Sequence, residues 1–111
     1  MQFLVVGLDG NDEGALARRM AVRGEHIALG DELLAAGNMW YGAAIMRDDG
    51  TMGGSALFMD FKDEQELNAW LAREPYITGK VWQTVTVYPC KTRDPWQFNR
   101  PKEFFEERQR A

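Results

Sequence analysis

The sequence predicts an α+β domain with the element order β-α-β-β-α-β. Three observations carry that reading: short β-favouring apolar runs at residues 3–8, 39–47, 54–61 and 80–88, a long helical period after the first, and an acidic capping box before the last. Phe3 to Leu8 is apolar on both sides, so both faces of the sheet it joins need covering. Asn11 or Asp12 is expected to cap a helix with an acidic first turn. The helical period continues to about Ala36, where Gly37-Asn38 is a stop signal, and Gly24 is expected to bend it.

Met39 to Arg47 and Gly54 to Phe61 flank Asp48-Asp49-Gly50-Thr51, whose Asp-Gly pair favours the positive backbone angles of a tight hairpin. Asp63-Glu64-Gln65-Glu66 has the pattern of a capping box ahead of a short helix that buries Leu67, Trp70 and Leu71, with Glu74-Pro75 ending it. Lys80 to Tyr88 completes the sheet, Val81, Val85 and Val87 on one side and Trp82, Thr84, Thr86 and Tyr88 on the other. With right-handed crossovers this order is the ferredoxin-like split βαβ arrangement, built on an antiparallel sheet. Its helices cover one sheet face only, so the second apolar face is expected to pack against another copy of the chain.

Residues 1–90 read as this domain and residues 91–111 as a C-terminal arm. The arm is polar apart from Trp96, Phe98, Phe104 and Phe105, and Asn99-Arg100-Pro101 is a helix start ahead of Lys102 to Arg110. It is expected to lie across the domain or its partner.

The chain has 111 residues and a formal net charge of -4, which gives no electrostatic reason to expect nucleic acid. Cys90 is the single cysteine, so no intrachain disulfide forms and no cysteine cluster holds zinc; a reducing cytoplasm is the expected compartment. No apolar run approaches the roughly 20 residues of a membrane-spanning helix, and the first nine residues read as a strand rather than a leader. With one histidine and no regular acidic spacing, neither a metal nor another cofactor is expected.

The chemistry concentrates on the long helix. At 100° per residue Arg19, Arg23, His26 and Gly30 fall within about 60° of one another, flanked by Ala15, Val22, Leu29 and Leu33 on one side and Leu16, Met20, Ile27 and Leu34 on the other. A cationic stripe inside an apolar arc needs buried partners or a solvent-filled cleft, because an unpaired buried charge is costly. His26 is the only histidine, and an imidazole exchanges protons readily near neutral pH. A carboxylate on its second nitrogen would fix the tautomer, and nearby arginines would stabilise an enolate or phenolate as it forms. For Arg19 and Arg23 the competing reading is ion pairing with Asp12, Glu25 or Glu74 that ties the helix down. Trp40, Tyr41 and Trp82 are candidates for an apolar wall against a planar ring, and equally for core.

The set of Arg19-Met20-Ala21-Val22-Arg23-Gly24-Glu25-His26, Gly53-Gly54-Ser55 after the hairpin and Glu74-Pro75-Tyr76 before the last strand resembles the YciI-like (YCII-related) family over about residues 2 to 90. The resemblance implies a dimeric α-β barrel, two sheets facing each other with a cleft between helix and sheet in each subunit. It also implies a site that pairs the motif histidine, here His26, with the acid of an Asp-Pro-Tyr/Phe motif, here Glu74. Some members of the family are lyases or isomerases of ring compounds, among them a dehydrochlorinase of chlorinated hydroxyquinols and muconolactone isomerase-like proteins. Glutamate replaces the family's aspartate, and its extra methylene shifts the carboxylate by about 1.5 Å, enough to matter for catalytic positioning. Ser55 and Tyr76 are candidates for orienting a substrate through their hydroxyls.

Two functions of different class follow. One is a small cofactor-independent lyase or isomerase, His26 moving a proton on a small cyclic or carbonyl-containing substrate. The alternative is a non-catalytic, ligand-binding or accessory homodimer that uses the same cleft. A third reading makes the domain an assembly module whose aromatic tail engages a partner.

Overall fold

In the computed structural model, which describes residues 1–97 and 99–109, four strands form one antiparallel sheet in the order β2-β3-β1-β4. The strands are β1 (Gln2–Asp9), β2 (Met39–Met46), β3 (Met52–Asp60) and β4 (Trp82–Cys90); the helices are α1 (Ala15–Ala36), α2 (Glu64–Leu71), α3 (Pro75–Thr78) and α4 (Lys102–Gln109). The fold is the expected ferredoxin-like βαββαβ, with α3 as an extra turn before β4.

Strand alternation decides which side chains reach the site. Along β1, Phe3, Val5, Gly7 and Asp9 are buried toward the helices, opposite Met59, Leu57 and Ser55 of β3. Leu67 and Trp70 of α2 and Leu29 and Leu33 of α1 close the core over them. Leu4, Val6 and Leu8 point to the other face, beside Phe58 and Ala56 of β3 and Thr84, Thr86 and Tyr88 of β4. Among the described residues no helix covers that face, and Leu8 and Tyr88 are exposed.

Local signals set most of the boundaries. Gly37, at φ 84, ends α1 in the left-handed conformation, its N–H and that of Asn38 bonding the Leu34 and Leu33 carbonyls. Gly50, at φ 86, supplies the turn between β2 and β3. Asp63 caps α2, its carboxylate accepting from the Glu66 N–H at 2.9 Å.

Four details differ from the sequence reading. The residue before α1 is Gly14, with no side-chain cap and no acid in the first turn. Asp12 instead takes two bonds from the Arg18 guanidinium at 2.7 and 2.8 Å, which hold its carboxyl down at about 2; a bidentate ionic pair outcompetes a single backbone N–H. The helix runs unbroken through Gly24. Leu16, Met20, Ile27 and Leu34, one flank of the cationic stripe, are exposed rather than packed, because the buried stripe of α1 runs through Ala15, Arg19, Leu29 and Leu33. Trp82 belongs to the helix side, not with Thr84 and Thr86, since a register shift sets it opposite Asp9 while Thr84 pairs with Leu8. Its indole lies where a side chain at position 7 would be, 2.1 Å from a Cβ placed on Gly7, so only glycine fits there.

Beyond β4 the arm crosses the end of its own sheet. Thr92 donates to the Gln2 side chain through its N–H, at 2.8 Å, and through its hydroxyl. Pro95–Gln97 form a 3-10 turn, and Trp96 meets Trp40 edge to ring at 5.1 Å. Helix α4 buries none of its side chains. Phe98 and the expected helix end at Arg110 lie outside the described residues.

Candidate active site

Pro75 organises the site from one side. A proline disfavours the helical region for the residue before it, and Glu74 accordingly has extended angles, φ -66 and ψ 120, at the start of α3. From there its carboxylate folds back, Oε1 accepting the Tyr76 N–H at 3.1 Å. The same oxygen is hydrogen-bonded to Nδ1 of His26 on α1. Glu74 is 2 % exposed along its side chain and His26 18 %, so the acid is sealed behind a ring that still reaches solvent. Tyr76 stacks on the imidazole at 3.8 Å with 9° between planes, and Trp82 meets it edge-on at 6.1 Å. Between acid and stack the imidazole is fixed in position and plane.

Arg19, two turns before His26, is tied down more completely. Its Nη1 donates to both Asp9 carboxylate oxygens at 3.0 Å, and its Nη2 to the Gly54 carbonyl at 3.1 Å and Ser55 Oγ at 3.2 Å. The Arg19 and Asp9 side chains are 3 % and 1 % exposed, and the guanidinium lies 4.7 Å from the Tyr76 ring centre. The expected partners of Arg19, which were Asp12, Glu25 and Glu74, are thus replaced by Asp9. The alternation of β1 was the available signal, since it sends residue 9 to the same face as residues 3, 5 and 7.

These groups border a cleft of about 180 Å³ between α1 and the β2–β3 side of the sheet. Arg19, Arg23, His26, Ser55 and Tyr76 all line it, together with Ile27, Met39, Met52, Leu57 and the small run Gly42-Ala43-Ala44. Ile27 was expected beside the cationic stripe; the rest of the apolar lining was missed because it comes from strand residues with no chemical signature. Burial raises the Tyr76 phenol above its ordinary value, so it stays a neutral donor. Ser55 Oγ is occupied as an acceptor by Arg19 and keeps its own proton to donate. Trp40 and Tyr41 do not line this cleft. With Phe58 and the arm they border a separate apolar recess of about 360 Å³ on the uncovered sheet face, and Trp82 stands behind the imidazole. Among the described residues no three histidine, cysteine, aspartate or glutamate side chains gather as a metal-binding group, and no helix is long and apolar enough to cross a membrane.

The family model of the YCII-related domain matches residues 1–91. The chain belongs to the YCII-related family. It is 33 % identical over 99 residues to protein YciI of Escherichia coli O6:H1, an alignment covering 82 % of this chain and 97 % of that one. Among solved structures, it superposes with a TM-score of 0.70 and 24 % identity on 5-chloro-2-hydroxyhydroquinone dehydrochlorinase, TftG, of Burkholderia phenoliruptrix in complex with 2,5-dihydroxybenzoquinone, covering 82 % of this chain and 94 % of that one. A dimeric ferredoxin-like protein of unknown function from Jannaschia sp. matches with a TM-score of 0.52 and 15 % identity, covering 82 % and 98 %.

Proposed function

We propose that this YCII-related chain is a cofactor-independent lyase or isomerase in which His26 moves a proton on a small ring compound. The hydrogen bond between His26 and the buried Glu74 at the edge of an open cleft is the observation that carries this reading. With Nδ1 turned to the carboxylate, Nε2 is the nitrogen left to act as base. It takes the proton of a ring hydroxyl, leaving a phenolate, or the proton of a carbon next to a ring carbonyl, whose C–H electron pair moves onto the carbonyl oxygen as an enolate. The new imidazolium is balanced by Glu74, and the oxyanion by donors from Ser55 and the neutral Tyr76 phenol. Collapse of the enolate then expels a leaving group on the neighbouring carbon, or returns the proton from Nε2 to a different carbon. The longer glutamate is compatible with this role, because its carboxylate still bonds Nδ1 of His26 while accepting the Tyr76 N–H.

An apolar cavity of about 150 Å³ holds benzene, so a cleft of about 180 Å³ suits one substituted six-membered ring. The dehydrochlorinase relative and its quinone ligand support the same choice of substrate class. The uncovered apolar sheet face supports a homodimer formed through it, and the single, free Cys90 suits a reducing cytoplasm.

The test is chloride release from 5-chloro-2-hydroxyhydroquinone by the full-length chain and by His26→Gln. The expected outcome is turnover by the native protein and a loss of about 100-fold or more in the variant, with an unchanged circular dichroism spectrum. Full activity in His26→Gln rejects the role of the imidazole. Saturable binding of the ring compound with no product on prolonged incubation supports the non-catalytic binding reading instead.

A further inference from the structure

We propose that the cleft selects ring compounds that carry a carboxylate, held by Arg23, over neutral rings of the same shape; this rests on the reading above for the identity of the pocket. The two arginines of the stripe are not equivalent. Both terminal nitrogens of Arg19 are consumed by Asp9, Gly54 and Ser55, and its charge is cancelled by a carboxylate against it. Arg23 lines the same cleft, is half-buried, and among the described residues has no ion-pair or hydrogen-bond partner. Its fork of donors is available, and partial burial strengthens whatever anion it meets.

Placement on α1 sets the distance. Arg23 lies three residues before His26 and four after Arg19, and helix neighbours at those spacings hold their Cβ atoms about 5–6 Å apart. A ring whose reacting carbon lies against the imidazole therefore directs a substituent one or two bonds away toward the Arg23 guanidinium. The remaining lining favours the same occupant. Met39, Met52 and Leu57 offer an apolar bed, and among the described residues no aspartate or glutamate lines the cleft to repel an anion. The Glu74 charge lies behind the imidazole and is matched when His26 takes up a proton.

Benzoate and benzamide, which share a shape and differ in charge, are the probes, titrated into the isotopically labelled full-length protein and followed by the amide resonances of α1 and β2. Benzoate should bind about tenfold more tightly than benzamide at low salt, as expected for a charge-assisted pair in a partly dry site. Arg23→Gln should weaken benzoate to the level of benzamide while leaving benzamide unchanged; Arg23→Lys should keep part of the preference. His26→Gln should keep it in full. Equal binding of the two probes by the native protein, a preference that survives in Arg23→Gln, or no binding of either probe overturns the proposal. Loss of the proton-transfer reading alone would look different: the preference for benzoate persists while chloride release is indifferent to His26→Gln.

Discussion

Removing Arg19 would leave the Asp9 carboxylate ionised in a site where its side chain is 1 % exposed. Breaking such a pair from one side costs about 3–5 kcal/mol, because desolvation of the remaining charge is no longer offset. Arg19→Met is therefore expected to lower the stability of the fold by that amount in urea denaturation, and the double variant Arg19→Met with Asp9→Asn should recover much of it. A single variant as stable as the native chain would mean the pair is not buried in solution. At this scale the sequence was informative about His26, Arg19 and Arg23, since three cationic or titratable positions on an apolar arc demand an explanation. Asp9 was harder to see, standing at a strand end where an aspartate equally suits a turn. The difference between the two arginines was not legible at all, because it depends on which of them lies opposite the end of β1.

The elements show the same division. The cap at Asp63 was legible because it is a local hydrogen bond, and it forms as expected, while the Glu66 carboxylate accepts from the Lys62 N–H rather than closing the box on Asp63. Asp63→Ala should cost about 1 kcal/mol, read as a lowered urea midpoint with unchanged slope, since it removes one acceptor at the start of α2 and nothing from the core. Glu74-Pro75 was read correctly as a break and incompletely as a structure. The same restriction that stops α2 starts α3, and the turn it makes is what carries the acid to the imidazole. Trp82 was assigned to the wrong face because strict alternation assumes an unbroken ladder, and a register shift between Leu8 and Asp9 reverses it. Asp12 was expected as a cap on α1 and instead pairs with Arg18, a side-chain competition that propensity alone does not rank.

For the whole molecule the deciding feature is the sheet face that no helix covers, where Leu8 is 45 % and Tyr88 53 % exposed. Apolarity on both sides of β1 made that face readable from the sequence. In a two-fold dimer each substitution counts twice, and losing about 1.5–3 kcal/mol of burial per copy should raise the dissociation constant of Leu8→Glu at least about 100-fold in sedimentation equilibrium. Association unchanged by the substitution would show that two copies do not meet through this face. The course of the arm was the least legible part, because its path depends on where Gln2 and Trp40 come to lie once the sheet has formed. That path brings two indoles edge to ring, and electronic transitions so close mix into a paired positive and negative band in the far ultraviolet. The protein thus carries its own optical gauge of whether the chain end is seated, readable without any label.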